Sequence, residues 1–236
     1  MPKGHEKLIS TKILEEIERR LQEQWGPVRR KPSRNPLDEL ILTILSQNTS
    51  DLNSGRAFSS LRNRFADWDR VREAPLRDIE VAIQGGGLAR IKAGRIKSIL
   101  EEIREERGEV SLDFLKRFSD EKVWAYLGRF KGVGPKTVAC VMLFSLGRPA
   151  FPVDTHVHRI ISRLAGRIEG ESPAQIQEEL QRRVSPELMY SLHLHLVHHG
   201  RRICQSRLPL CGQCKLLTLC KYARGTKRTR ASANRV

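Results

Sequence analysis

Residues 127–143, LGRFKGVGPKTVACVML, decide the fold. Gly132 and Gly134 stand one residue apart between two apolar, helix-forming stretches, where they permit a tight turn and let a ligand approach the backbone with no side chain in the way. Pro135 suits the first position of the helix that follows, and a helix N-terminus turns free amides outward, where they suit a phosphate. The segment therefore predicts helix, short hairpin, helix. A plain structural turn would also use glycine, so the motif alone does not name a ligand.

Lys136 falls in the first turn of the second helix, at the positive end of its dipole and in a chain rich in cations. Each effect disfavours the ammonium and brings a neutral, nucleophilic amine within reach. A lysine that only neutralises a phosphate is the other reading, and the residues alone leave both open.

Outward from the hairpin, helical periodicity dominates and no alternating strand is found, so the chain is expected to be all-α. Glu15 to Gln24 carries Ile17 and Leu21 one turn apart on a charged background. A basic linker, GPVRRKPSRNP, leads to Asn35 and Pro36, a cap and first-turn pair opening a helix whose Leu37, Leu40, Ile41, Ile44 and Leu45 form a wide apolar face. Further helices are predicted at Ser54 to Arg64, Leu76 to Ile83, Arg90 to Arg107, Leu112 to Arg117 and Asp120 to Phe130. Beyond Gly147 they follow at His156 to Ala165, Pro173 to Arg183 and Pro186 to His199, the last stopping at Gly200. Gly85, Gly86 and Gly87 interrupt the pattern between two of them.

Four of the five cysteines crowd the C-terminal region as Cys204-x6-Cys211-x2-Cys214-x5-Cys220. Four thiolates on so short a loop suit a soft metal centre, an iron-sulfur cluster or zinc. Only Cys211 and Cys214 have the knuckle spacing common in structural zinc sites, and an odd cysteine number argues against a disulfide framework. Cys140, alone in an apolar run, fits a small buried hydrophobe. His193, His195, His198 and His199 include a pair one helical turn apart, yet the run also fits an amphipathic helix leading into the cysteine loop.

The 236 residues carry 43 Lys and Arg against 27 Asp and Glu, a net charge of +16, which is the electrostatic footprint of a polyanion binder and nucleic acid above all. Aromatics make up 6%, too few for a platform that stacks many bases of a single strand. Neither a signal peptide nor an apolar run near about eighteen residues is seen, so a soluble, intracellular protein is expected. The basic tail from Tyr222, residues 222–236, is expected to be disordered.

Taken in order, Gly132-Val-Gly-Pro-Lys136, Pro152-Val-Asp154-Thr-His156, His199-Gly-Arg and the four-cysteine spacing resemble the endonuclease III family of DNA repair glycosylases, over about Pro36 to Cys220. The resemblance implies a two-lobed helix-hairpin-helix fold with a C-terminal four-iron, four-sulfur (4Fe-4S) cluster, acting as a monomer on damaged bases or abasic sites in double-stranded DNA. It implies a central helical domain at 31–147, and a cluster domain of 1–30 plus 148–221. By the same resemblance Lys136 matches the nucleophile that attacks the deoxyribose C1′ of an extruded nucleotide, Asp154 the assisting carboxylate, and Cys204, Cys211, Cys214 and Cys220 the cluster ligands. Oxidised pyrimidines are the implied substrate, and β-elimination through a Schiff base nicks the strand.

Extrusion leaves a hole that side chains must fill, and two loops match the family's wedges. In residues 45–51, LSQNTSD, the family's Gln aligns with Asn48, one position after Gln47, and both Gln47 and Asn48 are candidate fillers that contact DNA. In residues 86–92, GGLARIK, apolar Leu88 stands beside Arg90 and Lys92, expected phosphate contacts. Lys131, Gly132 and Gly134 of the hairpin and Arg207, with Ser206, of the cysteine loop are the other expected DNA contacts. Two departures from the family stand out: Phe130-Lys131 where Leu-Pro is common, and Asn48 for Gln, so that substrate range is not carried over. An Asp154 that only caps a helix and a Leu88 that only packs in a core are the structural alternatives.

Overall fold

The computed structural model describes residues 9–29, 34–166 and 171–224. Its α-helices run α1 (Thr11–Trp25), α2 (Pro36–Ser46), α3 (Asp51–Arg64), α4 (Trp68–Glu73), α5 (Leu76–Ile83), α6 (Ala89–Arg107), α7 (Asp120–Gly128), α8 (Pro135–Cys140), α9 (Thr155–Ala165), α10 (Pro173–Arg183) and α11 (Pro186–Arg202). No strand occurs among the described residues, and no helix there is long and apolar enough to cross a membrane. Packing divides the chain into two units, Pro32–Arg148 and Met1–Lys31 with Pro149–Val236.

The Pro32–Arg148 unit is built around α2. Asn35 Oδ1 accepts from Leu37 N at 2.9 Å and Pro36 opens the helix. Leu37, Leu40, Ile41, Ile44 and Leu45 are all exposed by 1% or less, because α2 packs against α3, α6 and α8. Burial of each such side chain contributes roughly 1.5–3 kcal/mol. The short α4 escapes the periodicity reading, since six residues offer under two turns of pattern. Asp67 caps it by accepting from Arg70 N at 2.8 Å, and Trp68 Nε1 donates to Asp38 Oδ1 at 2.8 Å.

In the other unit α11 packs against both α1 and α9. Helix α11 does not stop at Gly200. A Cβ there would lie 2.8 Å from His156 Cβ on α9, so this glycine permits a close helix crossing rather than ending a helix. Other bounds shift by a few residues: α1 starts at Thr11, capped by Ser10, and α7 ends at Gly128. Residues Asp113–Arg117 form a 3₁₀ turn, and Val141–Leu146 extend α8 as a π-helix that Gly147 (φ +70°) closes. The expected disordered tail is corrected at its start. Residues 221–224 are helical, Ala223 is buried, and the Arg163 guanidinium lies 5.0 Å from the Tyr222 ring centre. The rest of that tail, 225–236, and positions 30–33 of the basic linker lie outside the described residues.

Candidate functional site

The hairpin turn is held from beneath. Gly132 has φ +85°, a backbone conformation that favours glycine, and a Cβ added to it would come within 2.7 Å of Arg95 Nε, so the end of that side chain would also have to move. Gly134 has φ −98° and nothing within 4 Å of an added Cβ, so the protein's own packing makes no such demand there. Val133 is buried while Lys131, Gly132 and Gly134 are exposed. Phe130, where the resemblance expected Leu, is 2% exposed and meets Tyr126 edge-on at 5.5 Å in a cluster with Phe114 and Phe118. Arg129 stacks on Tyr126 and pairs with Glu106. Packed aromatic rings thus stiffen a turn that lacks the family's proline.

Lys136 is the second residue of α8 and half-buried. Its charge acts on Glu39 of α2, an acid the sequence reading passed over. Glu39 is 5% exposed and accepts from Arg34 Nη1 at 3.0 Å and Thr43 Oγ1 at 3.5 Å. Burial pushes its pKa up, against the pull of Arg34 and, more weakly, of Lys136. The available signal was α2 itself: in a helix apolar nearly all round, an acid at position 39 has to be buried.

The two wedge loops carry the two non-glycine residues with positive φ among the described residues, Asn48 (φ +53°) and Leu88 (φ +50°). Leu88 is 51% exposed, which excludes a core role for it. Asn48 is exposed, whereas the neighbouring Gln47 is engaged at both ends: its Nε2 donates to Gly132 O at 3.0 Å and its Oε1 accepts from Arg95 Nη1 at 2.9 Å. Lys92 is not a phosphate contact. It is 1% exposed, its Nζ donates to Leu45 O and Gly86 O, both at 2.7 Å, and burial followed by the charge of Arg95 lowers its pKa. Arg90 stays exposed. Sequence reading missed these inward cations because Arg90, Lys92 and Arg95 look alike until the phase of α6 against α2 is known.

Asp154 caps α9: its Oδ1 accepts from His156 N at 2.9 Å and Val157 N at 2.8 Å. Both bonds fall on one oxygen, and Oδ2 has no hydrogen-bond partner among the described residues.

Cys204, Cys211, Cys214 and Cys220 line one cavity with Arg163, Ile203, Pro209 and Leu217. None of the four is in a disulfide. No three His, Cys, Asp or Glu side chains among the described residues are placed to hold a single metal ion. Burial, with facing Cys204, Cys220 and Cys211, pushes the Cys214 thiol up to about 11. Arginines frame the loop. Arg163 donates to Cys204 Sγ at 3.3 Å, Gln205 O at 2.7 Å and Ser206 O at 2.8 Å, Arg159 Nε to Cys204 O at 2.9 Å, and Arg20 to Thr218 Oγ1 at 2.6 Å. Arg207 is exposed at the tip.

The histidines have separate partners. His193 Nδ1 meets Pro152 O at 2.9 Å, His195 lies between Glu18 Oε2 at 2.9 Å and Gly26 O at 3.0 Å, and His198 meets the Trp25 ring at 4.4 Å. His199 Nε2 is 3.4 Å from Cys214 Sγ.

The family model described as HhH-GPD superfamily base excision DNA repair protein matches residues 41–186, from α2 through the hairpin and Asp154 to the start of α11. The chain belongs to that superfamily. Within it, the chain belongs to the endonuclease III family: it is 36% identical to endonuclease III of Sulfolobus acidocaldarius over 194 residues, 80% of this chain and 83% of that one. It is 42% identical over 179 residues to an Arabidopsis thaliana protein described as a DNA glycosylase, covering 76% of this chain and 58% of the plant protein's length. Its fold matches endonuclease III in a non-covalent DNA complex and in a trapped covalent intermediate with DNA. In both the TM-score is 0.79 at 24% identity, over 93% of this chain and 99% of the other. Family membership gives the coarse activity, that of a base excision repair DNA glycosylase.

Proposed function

We propose that this endonuclease III family protein is a bifunctional DNA N-glycosylase and abasic-site lyase that removes oxidised pyrimidines from double-stranded DNA. The observation that carries the reading is Lys136 itself, a half-buried amine in the first turn of the hairpin's second helix whose charge is felt by the buried acid Glu39. In the proposed step the neutral amine attacks C1′ of the extruded nucleotide, and the C1′–N bond breaks with its electron pair leaving on the base. The resulting amine loses a proton and opens the sugar ring to a Schiff base. Loss of a C2′ proton then expels the 3′ phosphate, nicking the strand, and water releases the lysine. Asp154 has the part of the carboxylate that takes the lysine's proton and faces positive charge developing on the sugar. Its partner-free Oδ2 supports this, because capping α9 occupies only the other oxygen.

Asn48 and Leu88 are the proposed occupants of the vacated space, since both are exposed on strained loops and Gln47 is committed to the hairpin. Lys131, Gly132, Gly134 and Arg207 are the proposed phosphate contacts. The four cysteines fit a 4Fe-4S cluster in donor chemistry and in sharing one cavity. Bound, the cluster would cross-link residues 204–220, while Arg159 and Arg163 offset thiolate charge and hold the loop's carbonyls. The protein is expected to act as a monomer.

Borohydride trapping on duplexes carrying thymine glycol, an abasic site or a T:G mismatch, beside Lys136→Ala, tests this reading. A lysine-dependent adduct on thymine glycol is expected. An adduct on the abasic site alone would reduce the activity to that of a lyase. Excision without any adduct would favour a monofunctional mismatch glycosylase, the rival reading that a lysine at this position argues against.

A further inference from the structure

Among the described residues Lys92 is the one lysine or arginine buried in the interior, and its position is as specific as its burial. It lies on α6, and its ammonium reaches back to two carbonyls that belong to different segments. Leu45, whose oxygen it takes, is at the end of α2, three residues before Asn48. Gly86, whose oxygen it also takes, is two residues before Leu88. A Cβ at Gly86 would approach Ala57 Cβ of α3 to 3.1 Å, so that stem is wedged against a helix as well.

Asn48 and Leu88 both hold left-handed backbone conformations that side chains rarely adopt, and such residues persist only where their surroundings fix them. Leu88 caps α6 with no side-chain hydrogen bond of its own. Arg95, one turn along α6 from Lys92, extends the arrangement: through Gln47 it links the 45–51 loop to Gly132 of the hairpin. A fold that needed only bulk at position 92 would be served by an apolar side chain, since removing an ammonium from water is costly. Two carbonyls at the ends of helical segments, by contrast, need a donor, and one ammonium supplies both.

We propose that Lys92 is the positioning residue of the two loops, clamping their stems so that Asn48 and Leu88 enter the duplex as one rigid pair. The proposal rests on reading those loops as the duplex-entering wedges. Preorganisation of this kind places its effect on the extrusion step rather than on initial binding, which the basic surface governs.

The test is Lys92→Met, which keeps length and volume and removes the donor. Excision of thymine glycol should fall on the order of 10²-fold in kcat with KM for DNA little changed. In an Asn48→Ala/Leu88→Ala background the same substitution should cost severalfold at most, because the side chains it positions are already gone. Amide hydrogen exchange of the DNA-free protein should lose protection at Gln47, Asn53 and Ser54, whose amides are bonded at one loop, and at position 92, whose amide is bonded to Leu88 O at the other, and keep it at 137–143 of the hairpin helix. An equal loss of activity in both backgrounds, or unchanged exchange in both loops, would overturn the proposal. If Lys92→Met does not fold, Lys92→Gln retains a donor able to hold one stem and should loosen a single loop. Wild-type protein inactive on every lesion would defeat the reading of the wedges, and the exchange measurement would then decide the clamp by itself.

Discussion

Replacing Glu18 by Ala leaves His195 with a proton it cannot use. The ring is 2% exposed, its Nδ1 lies 2.9 Å from Glu18 Oε2 and its Nε2 3.0 Å from Gly26 O, so both nitrogens face acceptors and the imidazolium satisfies both. Burial lowers its pKa, but Glu18 and the Gly26 carbonyl together raise it above the ordinary value. A group whose folded pKa is raised contributes stability that is fully present below its unfolded pKa and is lost as pH rises through the folded one. Removing one partner of a buried pair costs about 3–5 kcal/mol. At roughly 2–4 °C per kcal/mol for a chain of this size, Glu18→Ala should lower Tm by about 6–20 °C near pH 6. The deficit should shrink as pH rises past the raised pKa, where wild type loses the same ion pair. A Glu18→Leu/His195→Phe double variant should recover most of the loss, because well-packed apolar pairs replace buried ion pairs at little cost. Thermal unfolding followed by circular dichroism from pH 5.5 to 9 measures both. A pH-independent deficit, or one that grows with pH, would refute the assignment of an imidazolium.

Other outcomes follow from the hairpin and the cysteine loop. Gly132→Ala should destabilise by roughly 1–3 kcal/mol through its positive φ, whereas Gly134→Ala should cost about 1 kcal/mol or less, through a weaker N-cap of α8, and weaken duplex binding, as read by fluorescence anisotropy. Phe130→Ala should cost about 3–5 kcal/mol in urea unfolding, with Phe130→Leu close to wild type. Cys214→Ser should lower the iron content and visible absorption of purified protein and expose the 204–220 segment to protease, with Cys140→Ser harmless to both.

Several parts of the fold were legible because they are local. The Asn35-Pro36 start of α2, the Gly-x-Gly-Pro hairpin and the cap at Asp154 are each set within a few residues, and the structure has helices beginning at each. The bounds of α5 and α10 also agree, since turn chemistry marks both ends. Failures came where a residue's meaning depends on a distant element. Gly200 looked like a stop and is a crossing point with α9, and Tyr222 looked like the start of a tail and stacks with Arg163. Lys92 looked like a phosphate ligand and is buried beneath two loops.

The sequence by itself determined that the chain is helical, basic, built around a hairpin with a lysine at its rim, and closed by four clustered cysteines. Periodicity, net charge and short-range spacing are properties of the chain, and no partner segment is needed to state them. Only the tertiary structure decided which cations point inward, which of Gln47 and Asn48 is free, and that Glu39 shares the surroundings of Lys136. Those are questions of rotation and register between helices far apart in sequence. The side chains that settle them, packed between α2, α6 and α8, carry no local signature of the neighbours they will meet.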